Sequence, residues 1–107
     1  MYAAIRKYEL DAGSVDELAK RVDAGLAGTL STQPGFLGYH VIASGVSMTG
    51  GEEIVAVAFF EDEETAARSN DLAAAFVKDE LSEFGLHLNS AMSGVILVSR
   101  TADMISA

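Results

Sequence analysis

The run Pro34-Gly35-Phe36-Leu37-Gly38-Tyr39-His40-Val41-Ile42-Ala43 and the run Ile54-Val55-Ala56-Val57-Ala58-Phe59-Phe60 flank a Gly/Ser/Thr-rich break from Gly45 to Gly51. Together they decide the fold. Runs this long, rich in β-branched and aromatic residues, predict a β-hairpin. A strand with one wet face alternates apolar and polar residues, and these do not. Ile54, Ala56, Ala58 and Phe60 fall on one face, Val55, Val57 and Phe59 on the other. In the first run Leu37, Tyr39 and Val41 oppose Phe36, His40 and Ile42. Both faces of the hairpin therefore need a cover.

Upstream, Tyr2 to Leu10 reads as a strand, with Tyr2, Ala4, Arg6 and Tyr8 on one face and Ala3, Ile5 and Lys7 on the other. Ser14-Val15-Asp16-Glu17 has the form of a capping box. Val15, Leu18, Ala19, Val22, Leu26 and Leu30 then give one helix an apolar stripe. Gly25 and Gly28 weaken that helix or let it approach the sheet closely. Downstream, the carboxylates of Glu61 to Glu64 suit a helix N-terminus, where the dipole favours negative charge. This second helix is expected from about Glu63 to Phe84, with Ala66, Ala73, Ala74, Val77, Leu81 and Phe84 as its central stripe and Gly85 as its stop. A last strand is expected from about Ala91 to Arg100, apolar on both faces through Val95 to Val98. Met48 and Met92 read as gap-filling residues.

The order strand, helix, strand, strand, helix, strand predicts an α+β, ferredoxin-like βαββαβ fold. Both helices then cover one face of a four-stranded antiparallel sheet. The other face carries more apolar surface than a soluble monomer tolerates. A second copy packed sheet against sheet removes it, so a homodimer through that face is expected.

The chain has 107 residues, enough for one domain. Residues 1–100 are taken as that domain and 101–107 as a tail. A net charge of −9 argues against nucleic acid and anionic membrane surfaces as partners. There is no cysteine, so disulfides, thiolate metal sites and cysteine nucleophiles are excluded. No stretch reads as a signal peptide or a membrane span, and the expected location is cytoplasmic. P-loop, dinucleotide and serine-hydrolase signatures are missing, and His40 and His87 are too far apart in sequence for a one-helix metal pair. Neither a metal nor a cofactor is expected.

Met1 to Tyr8 leading to Gly13-Ser14, the turn and strand Pro34 to Tyr39, and Val57-Ala58-Phe59-Phe60-Glu61-Asp62-Glu63 carry a family resemblance. Over residues 1–100 the chain resembles the dimeric α+β barrel superfamily, in its antibiotic-biosynthesis-monooxygenase-like branch. That branch includes cofactor-independent quinone-forming monooxygenases, haem-degrading enzymes and domains of no established activity. The resemblance implies a substrate pocket in each subunit, between sheet and helices.

Asn70 falls within the apolar arc of the second helix, so it needs either a core partner or a ligand. Arg6 lies mid-strand beside Tyr2 and Tyr8, where the resemblance suggests a pocket position. Its guanidinium suits a substrate oxyanion or one of the many carboxylates. His40 has the pKa range of a general base for a phenol, but equally suits a core or interface position. His87 reads as a helix-end or loop residue. Phe60 matches, by the resemblance, an aromatic position where haem-degrading relatives have Trp. This chain has no Trp. Their haem-ligating His would fall near Asp79, where there is none.

These residues define the expected site. His40 and Asn70 are the catalytic candidates; Arg6, Tyr8, Phe60, Asn70 and Ala74 are the substrate-binding ones. The alanines of the second helix, Ala66, Ala67, Ala73, Ala74 and Ala75, are expected to leave a cavity of roughly 300 Å³ or more against the sheet. The leading expectation is a cofactor-independent monooxygenase acting on a phenolic or polycyclic aromatic molecule. The alternative is a non-catalytic dimeric domain that binds a small ligand or serves a structural role. Haem binding or degradation comes third.

Overall fold

Tyr2–Leu10 forms strand β1, which pairs on both sides and so lies inside the sheet. The computed structural model describes residues 1–46 and 51–102. After β1 come helices α1 (Val15–Ala24) and α2 (Leu26–Ser31), strands β2 (Phe36–Val46) and β3 (Glu52–Phe60), helix α3 (Glu63–Glu80), a 3₁₀ turn (Ser82–Phe84) and strand β4 (His87–Val95). The sheet is antiparallel with order β2-β3-β1-β4. This is the ferredoxin-like α+β arrangement, with β1 and β3 side by side. Met48 and most of the hairpin break, with residues 103–107 of the expected tail, lie outside the described residues. None of the described helices is long and apolar enough to cross a membrane.

The core sits between the helices and one sheet face. Tyr8, Leu10 and Ile54 from the sheet meet Leu18 and Val22 of α1, Leu26 and Leu30 of α2, and Leu81 and Phe84 beyond α3. A smaller cluster joins Ala4, Ala58 and Phe60 to Ala66 of α3. The opposite face, with Ile5, Val55, Val57, Phe59, Ile42 and Met92, has no helix over it. Ile42 and Met92 are exposed there, Met92 at 64%. Met92 therefore fills no gap in the core of a single protomer.

The expected first helix is two helices. The chain breaks at Gly25, which lies against Phe76 of α3; a Cβ there would come within 2.6 Å of the ring. The close approach is helix to helix, not helix to sheet, and Gly28 approaches nothing. Half of the capping box forms: Ser14 Oγ accepts from Glu17 N–H at 3.1 Å. The return bond from Ser14 N–H to the Glu17 carboxylate is not made. At α3, Asp62 accepts from the Thr65 backbone N–H and hydroxyl, both at 2.8 Å. Leu81 ends α3, and Phe84 belongs to the 3₁₀ turn rather than to the helix.

β4 starts and ends earlier than expected. Its register follows β1, with Leu88 opposite Tyr8, Met92 opposite Ile5 and Val95 opposite Tyr2. There β1 runs out, and only Ile96 N–H reaches the Met1 carbonyl, at 2.9 Å. Leu97 and Val98 are left 90% and 85% exposed. Strand β2 also departs from simple alternation. A bulge between Phe36 and Gly38 makes Leu37 the extra residue and places Phe36 on the same face as Tyr39.

Candidate functional site

Three elements aim side chains at the space under α3. β1 contributes Ala4, Arg6 and Tyr8 by alternation, β3 contributes Ile54, Ala56, Ala58 and Phe60, and β2 contributes Tyr39 and Val41. From above, α3 presents Ser69, Asn70, Ala73 and Val77, while α1 and α2 close the far end. The cavity between them, partly open, measures about 50 Å³. Beside it a second hollow of about 150 Å³ opens between α3 and β4, floored by Ala91, Met92 and Ser93. Arg6, Asn70 and Ala4 line both spaces. The site is a small inner chamber and an outer cleft, with a guanidinium and an amide at their boundary.

The inner chamber falls well below the expected size. Of the α3 alanines only Ala66 and Ala73 turn toward the sheet; Ala67, Ala74 and Ala75 are exposed. Ala74 lines neither space and is removed from the substrate-binding set. Phe60, 1% exposed and edge-on to Phe36 with ring centroids 6.2 Å apart, forms a wall of the chamber.

Arg6 is the cation of the site. Its Nη1 donates to the Tyr8 hydroxyl across a long 3.4 Å, and it pairs with no carboxylate among the described residues. The carboxylates have other partners or face water: Arg21–Glu83, Arg68–Glu64 and His87–Asp11 are all surface pairs. The Asn70 amide makes no hydrogen bond among the described residues, so it is not a tied core amide. Among the described residues, neither imidazole nor carboxylate lines either space.

His40 lies elsewhere. It pairs with Val57 on the uncovered sheet face, exposed, its ring edge-on to Phe59 at 6.1 Å. Alternation from Tyr39 sends it away from the chamber, so it cannot serve there as a base. His87 opens β4 rather than closing a helix, and its Nε2 lies 2.6 Å from Asp11.

Two polar residues of the chamber lining, Tyr39 and Ser69, lie outside the expected site. Tyr39 lies opposite Ala58, on the face that Ala56 and Phe60 share. Burial, reinforced by the nearby Tyr8 and opposed by the Arg6 charge, pushes its phenol up to about 12. It is therefore a proton donor at neutral pH. Ser69 is 2% exposed, three residues past Ala66 and four before Ala73 on the inward stripe of α3. Strand parity and helix period contained both signals; Asn70 and Tyr8 drew attention from their neighbours.

The model of the antibiotic biosynthesis monooxygenase family matches residues 1–79. HapK from Hahella chejuensis is similar in structure, with a TM-score of 0.70 at 18% identity over 95% of this chain and 98% of its own. A dimeric ferredoxin-like protein from an uncultured marine organism also gives 0.70, at 14% identity over 95% of this chain and 100% of its own. SnoaB, a cofactor-independent oxygenase from Streptomyces nogalater, gives 0.55 at 19% identity over 95% and 97%. No curated protein sequence matches. With β1, the hairpin and most of α3 inside the matched region, this chain belongs to the antibiotic biosynthesis monooxygenase family.

Proposed function

We propose that the chamber and cleft bind a phenolic aromatic as its oxyanion and that the protein is a cofactor-independent monooxygenase. The observation that carries this reading is Arg6, a half-buried guanidinium without a carboxylate, at the junction of two spaces that contain no other charged side chain. Phenol plus dioxygen gives para-quinone plus water, so the substrate supplies all four electrons and no external reductant is needed. One oxygen atom becomes the new carbonyl; the other leaves as water. The protein's part is to favour the anion, exclude bulk water and place a proton donor. Arg6 stabilises the phenolate by charge. Tyr39 holds a proton, and the amide of Asn70 orients the oxygen. With a chamber of about 50 Å³, a single ring entering from the cleft fits this reading better than a fused polycycle. A homodimer through the uncovered sheet face belongs to the same proposal, supported by its exposed apolar side chains and by the dimeric neighbour in the fold.

An oxygen electrode tests the activity. Phenolic compounds should drive uptake matched by quinone formation, without added metal, flavin or haem, and Arg6→Gln should reduce it at least about tenfold, the worth of one charged hydrogen bond. Binding without uptake would favour the second reading, a ligand-binding domain. A lining whose described residues include no imidazole or carboxylate base supports that second reading.

A further inference from the structure

The Ser69 hydroxyl is the buried polar atom of the chamber that the proposed reaction leaves unused. A helical serine commonly returns its hydroxyl to a carbonyl one turn back. Ser69 does not: its Oγ is inaccessible and has no hydrogen-bond partner among the described residues. It faces the chamber from the small-residue stripe between Ala66 and Ala73. Alanine at this position would cost nothing in packing and would leave no unmet donor.

We infer that Ser69 is a specificity-determining residue, donating a hydrogen bond to a second oxygen of the ligand whose anionic oxygen Arg6 holds. This rests on the reading of the chamber and cleft as a ligand site. The lining presents mostly donors: the Arg6 guanidinium, the protonated Tyr39 and the Ser69 hydroxyl. A matching ligand is rich in acceptors, and Ala4, Ala91 and Met92 of the cleft offer an aromatic body apolar contact beside Arg6, Asn70 and Ser93. A space of about 150 Å³ is large enough for a benzene ring. The cleft has about that volume; the inner chamber, at about 50 Å³, does not. The ring therefore sits toward the cleft, one oxygen meets Arg6 at the boundary, and a carbonyl or hydroxyl oxygen enters the chamber to Ser69. The ligand class is an aromatic oxyanion bearing a second oxygen substituent.

Calorimetric titration with benzoate and the three hydroxybenzoate isomers tests this, the carboxylate standing for the oxyanion. At least one isomer should bind about five- to tenfold more tightly than benzoate, the worth of one neutral hydrogen bond. Ser69→Ala should erase that advantage, leave benzoate affinity unchanged and leave the unfolding midpoint the same or higher. Ser69→Cys, a weaker donor of similar volume, should lose part of it. An advantage that survives Ser69→Ala overturns the inference, as does a variant that weakens all the acids equally and unfolds earlier. Benzoate binding that needs Arg6 but shows no preference among isomers overturns the role of Ser69 alone. No binding by the wild type, or binding that Arg6→Gln leaves intact, overturns the site reading together with the inference.

Discussion

Arg6 and Tyr39 face the same space with opposite consequences for a proton. The guanidinium favours anions nearby, while loss of water holds the Tyr39 phenol neutral up to about 12. A raised acid pKa in the folded state means stability that is complete below the ordinary tyrosine range and is lost as pH climbs through 10 toward 12. Absorbance titration of the phenolates should show a late step near pH 12 that Tyr39→Phe removes. The same variant should retain more of its stability in alkali than the wild type. A late step that survives Tyr39→Phe would assign it to another phenol and return Tyr39 to solvent. Legibility at this scale was uneven. Asn70 was placed by helical period, Arg6 and Phe60 by the family resemblance and Tyr8 by sharing the Arg6 face, and the structure brings them around one space. His40 was grouped with them because an imidazole suits a base for a phenol, and strand parity sends it to the other face. Ala74 failed for the opposite reason: a stripe built mostly of alanine does not say which alanines face inward.

The elements themselves were largely legible, and their ends were not. α3 begins where its carboxylates are, because Asp62 accepts from the Thr65 N–H and hydroxyl. Those bonds, the backbone one foremost, hold the Asp62 carboxyl below its ordinary value of 3.8. A lowered carboxylate pKa gives stability that is present above that value and lost as pH falls through the folded-state value. Asp62→Ala should lower the melting temperature at pH 7, with the difference from wild type shrinking on acidification below about pH 4. A pH-independent difference would mean the variant acts through packing instead. Thr65 also explains the Pro34-Gly35 turn. Gly35 has φ +84°, and a Cβ there would lie 2.7 Å from Thr65 Oγ1, so the turn and the first turn of α3 lock together. The misplaced ends came from long-range effects. β4 stops where its partner β1 stops, which the apolar run Val95 to Val98 conceals. The break at Gly25 depends on the Phe76 ring of a helix some fifty residues away.

For the whole molecule, one sheet face is left without a helix, and the proposed homodimer covers it. Val57 lies there, between Ile5 and His40 on the neighbouring strands. Sedimentation should give about twice 11.2 kDa at micromolar concentration, and Val57→Asp should yield monomer or aggregate, because a buried unpaired charge costs several kcal/mol. A stable, soluble wild-type monomer would remove the dimer from the account. The net charge of −9 sharpens the central claim, since a chain so acidic repels anions everywhere except where a cation is left unpaired. The most direct test of that claim is the ionisation of 4-nitrophenol in the protein's presence, read from its coloured anion. An apolar pocket alone raises the pKa of a bound phenol; the Arg6 guanidinium lowers it. The bound phenol should ionise about one unit below the free one, equivalent to ~1.4 kcal/mol, and the shift should vanish in Arg6→Gln. A bound phenol whose pKa rises, or falls equally in Arg6→Gln, would contradict an oxyanion site at Arg6.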